Sequence, residues 1–139
     1  MGIKIKYANN NAEYEICLDI QREVFIKEQG IPEKIVIDEK SSNSAYVYAI
    51  FEEKNVGTAR YRTTDFGIKL ERFAVLKEFR KKGIGRSLVQ FLCKKLDKDE
   101  IIYLHAQESV IGFYSLYGFE KFGKKFFEAG IGHWKMIKK

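Results

Sequence analysis

The chain has 139 residues, of which 45% are apolar and 14% aromatic, and its 25 basic and 19 acidic side chains give a formal net charge of +6. That length supports a single domain, 1–139, with a real core, and that composition excludes a disordered or membrane-embedded chain. No run approaches the roughly eighteen apolar residues of a spanning helix, and Met1-Gly-Ile-Lys-Ile-Lys6 lacks the apolar stretch of a secretion signal, so a cytoplasmic protein without membrane attachment is expected.

In chain order, Ile3, Ile5 and Tyr7 alternate with lysines and predict a first strand. Asn9, Asn10 and Asn11 offer capping side chains for a helix over 12–29, which Gly30 and Pro32 end. Residues 31–44 have little period and read as a short helix or loop, a natural place for substrate selection. A hairpin follows, with strands 45–51 and 56–64 joined at Glu52–Asn55. Asp65-Phe66-Gly67 then turns the chain into a fourth strand over 68–75. Apolar residues 84, 88, 91, 92 and 96 recur at helical spacing and predict an amphipathic helix with Arg86, Lys94 and Lys95 in water. Residues 101–106 read as a buried strand and 108–117 as a short helix closed by Gly118. Strands over 119–122 and 132–137 finish the chain, with 124–131 as a connecting loop. Cys17 and Cys93 fall on or beside apolar helical positions and read as buried free thiols.

Charge is divided unevenly. Residues 1–53 hold 6 basic and 10 acidic groups, a balance of −4, while 54–139 hold 19 and 9, a balance of +10. A protein that binds an anionic nucleotide and a cationic amine would want this division, with negative potential near the amine. The basic half also suits nucleic acid, yet its lysines are scattered among apolar positions and no recognised DNA- or RNA-binding motif appears, so no nucleic-acid partner is expected.

The most informative stretch joins the fourth strand to the long helix: Val75, then Arg80-Lys81-Lys82-Gly83-Ile84-Gly85-Arg86. The first helical turn has amides without intrahelical partners and a partial positive charge, and glycines there let an anion approach them. Arg80, Lys81, Lys82 and Arg86 add full charges, so the turn suits a diphosphate. An ordinary basic helix start carries the same residue types. A Walker loop is excluded because no Gly-x-x-x-x-Gly-Lys-Ser/Thr run exists, and a Rossmann fingerprint is excluded because Leu88 stands where a third small residue is required.

What remains, Arg-x-x-Gly-x-Gly at 80–85, resembles the acyl-CoA pyrophosphate motif of the GNAT (Gcn5-related) N-acetyltransferases. Phe113-Tyr114-Ser-Leu-Tyr117-Gly118-Phe119 is similar to the late Phe-Tyr-x-x-x-Gly-Phe signature of the same superfamily, about thirty residues after the glycine pair. Val24-Phe25-x-x-Glu28-Gln29-Gly30-Ile31-Pro32, Leu104-His105-Ala106-Gln107 and Ala129-Gly-Ile-Gly-His133-Trp-x-Met136 resemble a small stand-alone bacterial branch. Two departures stand out: Gln107 replaces the asparagine that in most relatives bonds the CoA arm, and Lys81 replaces a frequent glycine, with a side chain free to point to solvent.

The resemblance implies an α/β (α+β) GNAT fold: a mixed, mostly antiparallel sheet of six to seven strands flanked by about four helices, splayed between the fourth and fifth strands. It implies acetyl transfer from acetyl-CoA to a primary amine of a small molecule by direct attack. CoA-binding positions would be Phe73, Ala74 and Val75 through the backbone, then Arg80, Lys81, Lys82, Gly83, Ile84, Gly85, Arg86, Gln107 and Tyr114. Tyr114 would protonate the leaving thiolate. Glu71 and His133 are candidate bases, Glu71 because simple alternation places 71, 73 and 75 on one face. Phe25, Glu28, Gln29 and His133 would form the amine site, with His105 a core histidine. No His/Cys/Asp cluster has metal-ligand spacing, so no metal is expected. Paired domains are common in the superfamily, which allows a homodimer. A non-catalytic acyl-CoA sensor on the same fold is the alternative function.

Overall fold

The computed structural model describes residues 2–38, 43–96 and 99–139. Seven strands form one sheet in the order β1-β2-β3-β4-β5-β7-β6. They are β1 (Lys4–Tyr7), β2 (Ser44–Phe51), β3 (Lys54–Thr63), β4 (Ile68–Val75), β5 (Ile102–Gln107), β6 (Phe119–Glu128) and β7 (Ile131–Lys138). All neighbours pair antiparallel except β4 and β5, which run parallel. The expected mixed, mostly antiparallel fold is therefore the observed one.

Helix α3 (Ile84–Lys95) covers one face of the sheet. Ile84, Leu88, Val89 and Leu92, each no more than 1% exposed, pack on Val47, Ala49, Val56, Ala59 and Leu70. Gly57 lies under this helix, where an added side-chain carbon would sit 3.0 Å from Ile84 and 3.2 Å from the Ala74 carbonyl. The short α4 (Ile111–Ser115) packs on the same side through Phe113 and Tyr114.

Helix α1 (Asn11–Gln21) covers the other face, its Cys17 and Leu18 packed on Tyr46 and Tyr48. Asn10 caps it by accepting from the Glu13 amide at 2.8 Å. Both cysteines are free, and burial pushes the Cys17 thiol up to about 11, which makes it inert.

Three local expectations are corrected. The predicted helix over 12–29 is α-helical only to Gln21 and continues as a π-helix over Arg22–Glu28 before α2 (Glu33–Val36). The 31–44 stretch thus contains a short helix, and its residues 39–42 lie outside the described set.

The loop expected over 124–131 is strand instead. Strand β6 runs to Glu128, and Ala129 and Gly130, at φ 52° and 75°, reverse the chain in two residues. Two successive left-handed residues suit the twist of a hairpin, and Ala-Gly is not the Asn-Gly that advertises such a turn. Glu52 and Glu53, at φ 52° and 65°, make the β2–β3 turn in the same way.

The third correction concerns β4. Thr58 pairs with Ala74 and Arg60 with Glu71, so Arg72 and Phe73 together oppose the single residue Ala59. Arg72 takes φ 58° at this bulge. The extra residue breaks alternation: Phe73 and Val75 face α3, while Glu71 points to the α1 side, where Arg60 meets it. Residues 71, 73 and 75 do not share a face.

Candidate functional site

Between β3 and α3 the chain passes through β4, a single 3₁₀ turn over Lys77–Phe79 and the basic glycine turn. Gly83 sits at the helix N-cap with φ 86°, a conformation that glycine adopts without penalty. Among the described residues nothing lies within 4 Å of a side-chain carbon added there, and at Gly85 only the Phe113 ring edge does, at 3.7 Å. The start of α3 is therefore open on the side where these glycines lack a side chain. Lys81, Lys82 and Arg86 are exposed around them, whereas Ile84 is buried and can offer only its backbone. Lys81 has φ 64°, so replacing glycine here costs about 1 kcal/mol of backbone strain even though the side chain reaches solvent.

Arg80 does not join the open cations. Its Nη1 and Nη2 donate to the two Glu28 carboxylate oxygens at 2.6 Å each, and its Nε donates to the Val75 carbonyl at 2.9 Å. The pair straps the end of the π-helix to the glycine turn. Glu28 is thereby held outside the cavity described next, and Arg80 is neutralised where it stands.

Strands β4 and β5 pair over only three residues, Ile68–Leu70 against Ile102–Leu104. Beyond Leu70 they diverge, and the β5-facing edge of β4 from Glu71 to Val75 has no strand partner among the described residues. A cavity of about 360 Å³ occupies the opening. Phe73, Gln107 and Tyr114 line it from the sheet and α4, Phe25 and Gln29 from the π-helical segment, and His133 from β7. One extra residue per π turn resets the phase of the helix, which sends Phe25 and Gln29 inward and Glu28 out to Arg80.

Tyr114 is half-buried, its ring held by Phe73 at 6.0 Å, Phe113 at 5.1 Å and Phe119 at 6.0 Å. Burial pushes its phenol well above the usual tyrosine range. The hydroxyl has no protein partner among the described residues, so it presents a neutral proton donor to the cavity.

His133 is 9% exposed, and its Nδ1 lies 2.7 Å from the Ile131 carbonyl. A carbonyl can only accept, so Nδ1 carries a proton, and it is Nε2 that holds the lone pair whenever the ring is neutral. Gln107 and His133 are direct cross-strand partners on β5 and β7.

Glu71 lines the same cavity but is heavily engaged. Its Oε2 accepts from Arg60 Nε at 2.7 Å and from Arg62 Nε at 3.0 Å, with Arg60 Nη2 also in contact, and Lys69 Nζ lies 3.5 Å from Oε1. Burial raises its carboxyl pKa, but Arg60, Lys69 and Arg62 outweigh that and leave it below the ordinary range. A carboxylate so held is a weak base. The buried Arg60 also donates to Asp38 at 2.7 Å and to the Tyr46 hydroxyl at 3.0 Å.

Several wall residues were not read as functional from the sequence. His105 projects from β5 into the cavity, its Nδ1 3.2 Å from Glu128 Oε1 but out of line for a hydrogen bond. Burial, with Lys69 nearby, lowers it below the usual imidazole value. Phe126 makes an edge contact with His105 at 4.9 Å and stacks on His133 at 5.8 Å. Lys69 and Arg72 also line the cavity, as do Ile35 and Val36 from the 31–44 stretch expected to select substrate. For His105 itself, the Leu-His-Ala-Gln match was the one sequence signal that pointed toward this region.

Residues 7–139 match the family model described as Acetyltransferase (GNAT) domain. A Bacillus subtilis (strain 168) relative, the uncharacterized N-acetyltransferase YjcF, is 34% identical over 139 residues, covering 98% of this chain and 99% of its own. Among solved structures, Escherichia coli ElaA superposes with TM-score 0.84 at 21% identity, over 99% of this chain and 100% of that one. An aminoglycoside 6′-N-acetyltransferase crystallised with coenzyme A superposes with TM-score 0.75 at 19% identity, over 99% and 96%.

Proposed function

The chain belongs to the GNAT acetyltransferase family, and from that premise we propose that it transfers the acetyl group of acetyl-CoA to a primary amine of a small molecule by direct attack. The observation that carries the proposal is the opening between β4 and β5, where a cavity is lined by the Tyr114 phenol and the His133 imidazole. The CoA-bound state of the structurally similar aminoglycoside acetyltransferase supports the donor.

In this reading the amides of Gly83, Ile84, Gly85 and Arg86, with Lys81, Lys82 and Arg86 side chains, hold the pyrophosphate. Arg80 acts differently from the expectation: tied to Glu28, it shapes the turn, and the three remaining cations supply the charge. The unpaired β4 edge at Phe73, Ala74 and Val75 offers backbone groups to the pantetheine arm and donors to the thioester oxygen. Gln107 reaches the same arm. The thioester is the activated acyl group that CoA supplies.

His133 Nε2 takes the proton from the attacking amine, and Tyr114 donates one to the departing sulfur. Phe25 and Gln29 shape the amine side. Glu71 is left out of proton transfer because its charge is spent on Arg60 and Arg62.

An amine panel scored by thiol release from acetyl-CoA tests the proposal. No release from any amine, with CoA bound, would leave a sensor rather than an enzyme. Replacing Gly83 by Val should weaken CoA about tenfold or more, because a branched side chain shields the amides and resists φ 86°. Calorimetry checks this, and unchanged affinity would place the pyrophosphate elsewhere. His133→Asn keeps a donor for the Ile131 carbonyl but removes the base, so kcat should fall about 100-fold with CoA affinity retained.

A further inference from the structure

The acceptor end of the cavity is not the acidic pocket that a simple cationic amine would select. Its charged wall residues are Lys69, Arg72, Glu71 and Glu128. They are nominally balanced, but Glu71 is not free to balance anything in the cavity. Arg60 and Arg62, neither of which lines the cavity, already contact its Oε2, and Lys69 stands 3.5 Å from the other oxygen. Three cations share one carboxylate there.

Arg72 is also incompletely matched. Its Nη2 donates to the Ile35 carbonyl at 3.2 Å and lies 3.8 Å from Asp38, which is itself paired at 2.7 Å with Arg60. The Arg72 Nε is buried with no hydrogen-bond partner among the described residues. Among the described residues, Lys69, 13% exposed, and Arg72 therefore share their carboxylate partners with Arg60 and Arg62, an excess of positive charge at the cavity wall. Partly buried cations that share a partner gain from an anion that arrives to pair with them.

Glu128 Oε1 lies 3.2 Å from the His105 Nδ1, and Lys69 and Lys135 act on the same imidazole. Opposite charges thus act on this ring. Phe25, Ile35 and Val36 add an apolar wall beside them.

We infer that the acyl acceptor is an α-amino acid with an apolar side chain, its carboxylate held by Lys69 and Arg72 and its amino group on the Glu128 and His133 side. The inference rests on the acetyl-transfer reading above and narrows its substrate. A plain amine would satisfy Glu128 but leave both cations as they are. A carboxylate gains two charge-assisted contacts there.

The test pairs each of the twenty common amino acids with the amine left when its carboxylate is removed, for example L-leucine with isopentylamine and L-phenylalanine with phenethylamine, scored by thiol release from acetyl-CoA. At least one apolar amino acid should exceed its matched amine by tenfold or more in kcat/KM. Lys69→Met should raise the amino-acid KM at least tenfold with CoA affinity unchanged by calorimetry, and Lys69→Arg should restore it. Equal or better use of the amines, or a Lys69→Met protein with unaltered KM, overturns the amino-acid assignment and leaves acetyl transfer standing. Release from neither class overturns the transfer reading itself.

Discussion

Replacing Tyr114 by Phe should lower kcat about 100-fold while leaving CoA affinity within about twofold of the parent, the size expected when a positioned proton donor is lost. The substitution isolates the hydroxyl. The contacts to Phe73, Phe113 and Phe119 involve the ring, which phenylalanine keeps, and no described protein group bonds the phenol oxygen. The melting temperature should therefore hardly move. Burial raises the phenol above its ordinary value, so the donor stays protonated throughout the range in which the protein is assayed. The alkaline side of the kcat profile should accordingly show no loss near the usual tyrosine value of about 10. A Tyr114→Phe protein with full turnover would remove Tyr114 from the chemistry and hand the proton to water.

The second large effect is on stability. Glu71→Ala should cost about 3 kcal/mol or more at neutral pH, because it strips Arg60, itself 4% exposed, of one of its two carboxylate partners. Arg62 loses the same partner but is better placed to reach water, whereas Lys69, 13% exposed, adds to the cost. The pH dependence has a definite sign. The folded state holds the Glu71 carboxyl below its ordinary value, so the native protein binds this proton less readily than the unfolded chain does. Its stabilisation is complete above the unfolded glutamate value of about 4.3 and is lost as pH falls through the lower folded value. Urea titrations should thus show parent and Glu71→Ala far apart at neutral pH and converging in acid. A constant gap would mean that the ion pairs contribute nothing and that only packing is lost.

These two residues illustrate what a sequence exposes and what it conceals. Tyr114 belongs to a motif whose spacing, Phe-Tyr-x-x-x-Gly-Phe, survives as a linear pattern because α4 and the start of β6 are consecutive in the chain. Glu71 was a candidate base on the strength of alternation along a strand. The bulge at Arg72 and Phe73 defeats that rule, and nothing in Glu-Arg-Phe announces a residue at φ 58°. The same holds for Arg80 and Glu28, fifty-two positions apart, whose bidentate pair depends on a π-helical turn that periodicity reads as ordinary helix. His105 passed as a core residue because its continuous apolar neighbours hide the fact that its own face of β5 lines an opening.

The sequence by itself determined the family, the strand and helix order and the open glycine turn, because each rests on local spacing that short-range sterics and apolar periodicity impose. Only the tertiary structure decided which charges are spent and which remain. Arg60 quenches Glu71 from the neighbouring strand, Glu28 quenches Arg80 from a distant helix, and Lys69 and Arg72 are left facing a cavity. An ion pair is set by distance in space, and that distance does not exist until the sheet has formed.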